Sequence, residues 1–253
     1  MSTNLEEKCG YSGASIFRGQ RLKALADAVP ADCKRLIDVG CDHGRVPLEV
    51  LDQGIADELL LIDINKEPLE RAKTRARAKY PQFSDRIQYL QNNGLEGIGC
   101  RPDDVLLISG LGGESIADIL VEAFHDRDKT RPSRLILQPQ TKHYELRTVL
   151  QELSFCLSEE RLVLDENRFY TIIICAGDTD EATKLNELEL YIGPGLLRAV
   201  SESLSRKEIS ETDKLYFEWA EKQAKGLERE GRGDAGRAVM AEEWAELLEK
   251  SKR

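Results

Sequence analysis

Acidic side chains close two successive apolar segments of this chain. The run "LIDVGCDHGRVP" (36–47) carries Asp38 and Asp42, and "ELLLIDIN" (58–65) carries Asp63, about 25 residues after Asp38. Carboxylates repel a pyrophosphate, but they attract a cationic amine and accept hydrogen bonds from the hydroxyls of a ribose. The spacing therefore favours a nucleoside that carries an amine. A buried turn acid at Asp38 and a helix cap at Asp63 are the structural alternatives.

A glycine and a histidine flank these acids in the first segment. Gly40 lets the backbone approach a ligand, and the start of the next helix offers free N–H groups. The segment does not complete the GxGxxG fingerprint of dinucleotide sites, and its acids oppose a phosphate. His43 suits a proton acceptor or an orienting group, and a hydrogen bond to the backbone at the helix start is the equal alternative.

Two later segments carry groups that could contact a nucleic-acid base. Asn93 in "QNNGL" (91–95) follows a predicted strand, and its amide can both donate to and accept from an adenine edge. "ISGLGGES" (108–115) places Ser109 and three glycines at another strand end, where a flat base can approach the backbone. A tight strand–helix turn is the structural alternative there. "GRGDAG" (231–236) has the form GxGxxG, but no strand precedes it. We therefore do not assign it a phosphate-binding role.

Strand-like runs alternate with helical patterns and predict the elements that position these groups. We predict strands over 35–40, 58–65, 86–90, 104–110 and 133–139, and helices over 46–54, 68–80, 113–124 and 144–153. The runs 155–165 and 169–177 predict an antiparallel hairpin. Such alternation predicts a parallel sheet with helices on both faces. With its terminal hairpin, this Rossmann-like α/β layout resembles that of class I methyltransferases that use S-adenosylmethionine.

The pattern changes after Asp178. No strand pattern appears from Leu185 onward, and apolar residues at helical spacing predict three helices, the last two antiparallel. Ser210 and Asp213 fit a capping box at the start of one of them. We expect a Rossmann-like methyltransferase domain over 1–180 and a helical C-terminal domain over 181–253.

Composition limits the classes of partner. The 253 residues carry a net charge of −10, which argues against unspecific coating of nucleic acid. The six cysteines form no CxxC pair, so we expect no zinc ribbon, no thioredoxin motif and no metal. No apolar stretch reaches the roughly 20 residues of a membrane helix, and the first residues lack a secretory pattern. We expect a reduced, cytoplasmic protein with no membrane partner.

The motifs together resemble the bacterial tRNA (adenine-22-N1)-methyltransferase family. The segments that carry the resemblance lie between about residue 18 and residue 175: "RLIDVGCDHGRVP", "LLIDINKEPLERA", "NNGL", "ISGLGGESIADIL" and "LILQPQ". The corresponding family patterns include D-I-G-T-D-H-A-Y-L-P, D-I-N, G-D-G-L and A-G-M-G-G. The resemblance implies S-adenosyl-L-methionine as the cofactor, tRNA as the substrate and a coiled-coil-like C-terminal domain.

The resemblance also implies two groups of site residues. Cofactor contacts are implied at Asp38, Gly40, Asp63, Ile64, Asn93, Gly94, Ser109 and Gly110. A catalytic region around the target base is implied at Asp42, His43, Ser109, Gly110 and Leu111, and it extends to Gly113. We add Arg45, which lies beside Asp42 and His43 in the sequence.

The chain departs from the family pattern at several of these positions. Arg45 stands where the family has a tyrosine, Leu111 replaces a methionine, and Ser109 replaces an alanine. "NNGL" lacks the acid of G-D-G-L, although Asn93 keeps one hydrogen bond to adenine. Because Arg45 departs from the family pattern beside the target-base region, the sequence does not determine which RNA position is modified or which substrate is bound.

A tRNA substrate requires a local basic surface on this acidic protein. We predict a basic stripe beside the strand ends that includes Arg18, Arg21 and Lys23. The helix "RAKTRARAK" (71–79) is a second basic cluster, with Arg71, Arg75 and Lys79 on one side, and a solvated face is its alternative.

Two other functions remain open from the sequence. A class I methyltransferase for a small molecule or a protein predicts an enclosed pocket instead of an open basic face. A non-catalytic nucleotide- or RNA-binding module is favoured by Arg45 and by the missing acid after the third strand.

Overall fold

Eight strands form one central sheet in the computed structural model, which describes residues 14–18, 21–126, 128–177 and 184–250. Only the backbone is described for 14–18 and for Lys250. The strands are β1 (Ala14–Arg18), β2 (Cys33–Val39), β3 (Ala56–Asp63), β4 (Ile87–Gln91), β5 (Asp104–Leu111), β6 (Arg134–Pro139), β7 (Cys156–Asp165) and β8 (Arg168–Ala176). Their order is β1-β7-β8-β6-β5-β2-β3-β4. Strand β8 runs antiparallel to β6 and β7, and the other described pairings are parallel.

Helices cover both faces of the sheet. They are α1 (Arg21–Ala26), α2 (Arg45–Asp52), α3 (Lys66–Lys79), α4 (Gly113–Phe124) and α5 (His143–Glu152). Leu36 of β2 packs into the core under α1, α2 and α3, whereas its neighbour Ile37 packs into the core under α4 and α5. Because both faces of β2 are buried, the strand reads as a continuous apolar run.

The predicted elements of the sheet region are confirmed, and their ends differ from the prediction by no more than two residues. The terminal β7–β8 hairpin and the Rossmann-like class are confirmed as well. Strand β1 and helix α1 were not predicted. Strand β1 has five residues, too few for a readable alternation, and it pairs with β7 through partners such as Ile16 and Leu162, which are distant in the chain.

Four helices follow the sheet in the described residues, so the prediction of three is wrong. They are α6 (Glu187–Ile192), α7 (Pro194–Leu204), α8 (Glu211–Gly231) and α9 (Ala235–Lys250). Helix α6 has six residues, too few for a helical period, and a capping box of Asn186 and Glu189 starts it. The predicted box of Ser210 and Asp213 is confirmed, and Trp244 Nε1 of α9 donates to the Ala220 carbonyl of α8 at 3.1 Å.

A buried ion pair ties these helices to the sheet. The Arg147 guanidinium of α5 lies 2.8 Å from Glu160 of β7, and both side chains are almost fully buried. Arg147 also donates to the Leu190 carbonyl, and Glu160 accepts from the backbone N–H of Gly195. The predicted domain boundary at 180/181 lies outside the described residues and stays a prediction. None of the described helices is long and apolar enough to span a bilayer.

Candidate functional site

A cleft of about 970 Å³ opens at the carboxyl ends of β2, β3 and β5. This is the edge at which open α/β sheets bind their ligands. Most residues that the sequence singled out for cofactor and target base line it: Asp38, Gly40, Asp42, His43, Arg45, Asp63, Ile64, Asn93, Gly94, Ser109, Gly110 and Leu111. Gly112 and Gly113, the end of the predicted target-base region, do not.

Asp38 is a buried acid without a cationic partner among the described residues. Asp38 is only 4% exposed. This burial, together with the charges of Asp63 and Asp42, raises the pKa of the Asp38 carboxyl to about 7. A buried carboxylate that faces only other acids is unfavourable until a cation neutralises it. A ligand with a cationic amine would supply that charge.

Asp63 and Ile64 form the neighbouring wall at the end of β3. One Asp63 carboxylate oxygen accepts from the backbone N–H of Asn65 at 2.9 Å, which fixes the side chain at the strand end. Within the described residues, the other oxygen has no hydrogen bond. Ile64 is 59% exposed, which is unusual for a large apolar side chain, and it gives the cleft an apolar surface for a flat ring.

The turn after β4 leaves one amide free. The Asn92 amide donates to the carbonyls of Gly94 and Glu96 at 3.2 Å and 3.0 Å, so this side chain shapes the turn. Gly94 has a φ of 53°, which favours glycine. The Asn93 side chain is exposed and has no hydrogen bond to a described residue, so its amide is available to a ligand.

The turn after β2 is strained and open. Gly40 has a φ of 76°, and a Cβ there would lie 2.9 Å from Leu111 Cδ1. Asp42 has a φ of 43°, a left-handed conformation that costs a non-glycine residue energy and that clusters at functional sites. His43 Nε2 lies 3.6 Å from the Asp42 carboxylate, longer than a hydrogen bond. Both side chains lie at the rim of the cleft.

The glycines after β5 serve two different purposes. Gly110 has a φ of 81° at a bulge in β5, and it lies beside Gln140 at the cleft. At Gly113 a Cβ would lie 2.2 Å from the Lys142 carbonyl oxygen, so this glycine lets α4 start against the chain before α5. Gly113 does not line the cleft. The structural alternative of a tight turn therefore holds for Gly113.

Arg45 is exposed at the first residue of α2. It has no ion pair with a described residue, and a cation at a helix N-terminus opposes the helix dipole. Helix stability therefore does not account for Arg45, which lines the cleft beside Asp42 and His43.

The cleft is acidic as a whole. Its lining includes five carboxylates, from Asp38, Asp42, Asp63, Asp118 and Glu122, against the guanidinium groups of Arg21 and Arg45. Such a lining favours a cationic ligand and opposes a phosphate. Sequence reasoning missed Asp118 and Glu122, whose spacing of four on α4 places them on one helix face. No cluster of three or more metal-ligating side chains occurs in the described residues.

The basic residues are distributed unevenly around the cleft. Arg21 lines it, donates to Gln138 Oε1, and lies 5.0 Å from the centre of the Tyr170 ring. Lys23 is exposed, and the side chain of Arg18 lies outside the described residues. The predicted basic stripe that includes these three residues stays a prediction.

The basic cluster on α3 has other partners. Arg71 and Lys73 pair with Glu67 and Glu70 one helical turn earlier. Helix α3 starts at the strand ends and returns toward the opposite edge of the sheet, so its last turn lies away from the cleft. The solvated-face alternative fits this helix better.

Comparisons with known proteins identify the family and the fold of the chain. The family model described as a methyltransferase domain matches residues 18–173. The tRNA (adenine(22)-N(1))-methyltransferase of Bacillus subtilis is 28% identical over 203 residues, which cover 78% of this chain and 83% of the relative. A Streptococcus pneumoniae protein solved with S-adenosyl-L-methionine has a TM-score of 0.72 and 26% identity, covering 90% of this chain and 98% of that chain. The Bacillus subtilis m1A22 tRNA methyltransferase TrmK shares the fold, with a TM-score of 0.68 and 21% identity, covering 92% of this chain and 97% of that chain.

Proposed function

Because the chain belongs to the methyltransferase domain family, we propose that it transfers a methyl group from S-adenosylmethionine to N1 of an adenine in tRNA, the adenine at position 22. The acidic cleft with its unpaired Asp38 carries the proposal for the cofactor. The Bacillus subtilis relative, named for the same reaction, supports the base and its position. A tRNA substrate also supports the cytoplasmic location that we expect.

The described residues of the cleft fit this cofactor. Asp38 would bind the cationic amine, because its carboxyl lacks a cation, and Asp63 would accept from the ribose hydroxyls. Ile64 would pack against the adenine ring, and the free amide of Asn93 would bond to its edge. The remaining cofactor contacts would come from glycines and a serine that allow a close approach: Gly40, Gly94, Ser109 and Gly110.

The acidic rim suits the charge that methylation creates on adenine. When bound, S-adenosylmethionine supplies a methyl group on a sulfonium, and the lone pair of adenine N1 can take it without prior loss of a proton. Positive charge then develops on the base, and the Asp42 carboxylate at the rim would stabilise it. His43 would orient Asp42, and Leu111 would give the base an apolar contact. Arg45 would face the RNA that carries the base.

A methyl-transfer assay on defined transcripts tests the proposal. An unmodified tRNA transcript with adenine at position 22 should accept label from S-adenosylmethionine, and a transcript with guanine at that position should not. Calorimetry on the same preparation separates the alternatives. Cofactor binding without transfer to either transcript would favour a small-molecule or protein substrate. Absence of cofactor binding would favour a non-catalytic module.

A further inference from the structure

A second cleft, of about 530 Å³, lies beside the cofactor cleft and shares Arg21 and Gln140 with it. The turn between β7 and β8 forms one wall with Arg168, and α8 forms another with Trp219 and Lys222. The second cleft therefore joins the sheet to the C-terminal helices next to the place where the target base would enter.

The two neighbouring clefts have opposite charge. Arg21, Arg168 and Lys222 line the second cleft, and no aspartate or glutamate appears in its described lining. The cofactor cleft has five carboxylates and two guanidinium groups in its lining. On a protein with a net charge of −10, a cationic cleft beside an acidic one favours a polyanionic ligand.

The cations of the second cleft are available to a ligand. Arg168 is exposed and forms no ion pair with a described residue. Lys222 lies 4.6 Å from the centre of the Phe169 ring, and it pairs with Glu218 at 2.8 Å. Both partners of that pair are half-exposed, so it adds little energy and can be exchanged for a phosphate.

Aromatic rings and a rigid turn complete the surface. Phe169 and Tyr170 line the cleft and are partly exposed. Lys222 lies over the Phe169 ring and Arg21 over the Tyr170 ring, so the two rings hold cations at the surface of the cleft. Glu166 and Asn167 have φ values of 47° and 62°, the conformation of a tight hairpin turn. This turn fixes the backbone next to Arg168 at the wall of the cleft.

We propose that the second cleft binds the single-stranded RNA that flanks the target adenine. Arg168 and Lys222 contact its phosphates, and Arg21 stands at the junction with the cofactor cleft. Methylation of a base usually requires that the base leave its stack, and a cleft that holds the flanking strand stabilises that state. This proposal rests on the proposed function, and it assigns RNA binding to α8.

The test compares two double variants that remove the same charge. Arg168→Gln with Lys222→Gln changes the second cleft, and Arg77→Gln with Lys79→Gln changes the exposed last turn of α3. Fluorescence anisotropy measures binding of an unmodified tRNA transcript at several salt concentrations, calorimetry measures cofactor affinity, and thermal unfolding checks the fold. The single variant Arg168→Gln, on an exposed turn, serves if the double variant does not fold.

The cleft variant should bind tRNA about tenfold more weakly, and the slope of log affinity against log salt should be about 1.5 smaller in magnitude, because two phosphate contacts are lost. Cofactor affinity should not change, and the α3 variant should bind tRNA like the wild type. Equal tRNA binding by the cleft variant and the wild type, or equal losses in both double variants, would overturn the proposal.

One further feature of the test keeps this proposal separate from the proposed function. Because anisotropy requires no turnover, it reports on the cleft even if the wild type forms no methylated product. That last outcome would contradict the proposed function alone.

Discussion

At the scale of single residues, Asp38 illustrates a group that costs stability and serves binding. Its carboxyl lies in the core with two other acids near it, and burial raises its pKa to about 7 from an ordinary value of 3.8. Between those two values the folded protein holds a proton that the unfolded chain has released. Stability therefore falls as pH rises from about 4 to about 7 and is level above that range.

We expect Asp38→Asn to stabilise the ligand-free protein at pH 8 by about 2 kcal/mol, because the buried charge disappears. The same variant should lose S-adenosylmethionine binding, because the amine loses its counter-charge. Urea unfolding at pH 5 and pH 8, with calorimetry of the cofactor, measures both effects. The exposed Asp103→Asn is the control and should change neither. A destabilised Asp38→Asn protein would show that Asp38 is a structural acid.

The pKa of Asp38 also predicts a pH dependence of binding. Cofactor affinity of the wild type should rise between pH 6 and pH 8, as the carboxyl of the empty cleft ionises. Asp38→Asn should remove that dependence from whatever affinity remains. Calorimetry over this pH range in buffers of equal ionic strength provides the measurement, and a flat wild-type profile would contradict the role of Asp38.

At the scale of elements, the sequence indicated where the site would form but not everything that lines it. Parallel strands end at one edge of a sheet, so Asp38 and Asp63 could be placed together from the chain alone. Asp118 and Gln140 could not, because the faces that α4 and the loop after β6 turn to the cleft depend on packing. Strand β1 and helix α6 were too short to show a period.

The start of α4 offers a prediction at this scale. Gly113→Ala should destabilise the protein by roughly 3 kcal/mol, because its Cβ would lie 2.2 Å from a backbone oxygen that cannot move independently. Gly112→Ala is the matched control, since its Cβ would meet only side-chain oxygens at ordinary contact distances, those of Thr141 at 3.6 Å and Ser115 at 3.8 Å. Thermal unfolding compares the two variants. Equal melting temperatures of the two variants would contradict a close contact between the start of α4 and the backbone before α5.

At the scale of the whole molecule, two arrangements were hidden from the sequence. The second cleft contains Arg21, Arg168 and Lys222, which lie far apart in the chain, so no local sequence motif predicts it. The C-terminal helices are held against the sheet by the buried pair of Arg147 and Glu160. The net charge of the chain therefore does not indicate which ligands it binds, because opposite charges are segregated into adjacent clefts.

Breaking the buried pair should loosen this arrangement. Glu160→Gln or Arg147→Met alone should destabilise the protein by about 3–5 kcal/mol, since each leaves a buried group without its counter-charge. The double variant Arg147→Met with Glu160→Gln should cost clearly less than the sum of the two single changes. Urea unfolding measures the free energy of unfolding of the wild type, the two single variants and the double variant. If the loss in the double variant equals the sum of the two single losses, the two residues are not coupled.

The central claim is methyl transfer to adenine N1 in tRNA, and identification of the product nucleoside tests it most directly. Purified protein, unmodified tRNA and deuterium-labelled S-adenosylmethionine are incubated, and the tRNA is digested and analysed by mass spectrometry against nucleoside standards. We predict labelled 1-methyladenosine, located at position 22 by analysis of nuclease fragments. Cofactor binding in calorimetry with no labelled 1-methyladenosine in the digest would contradict the claim.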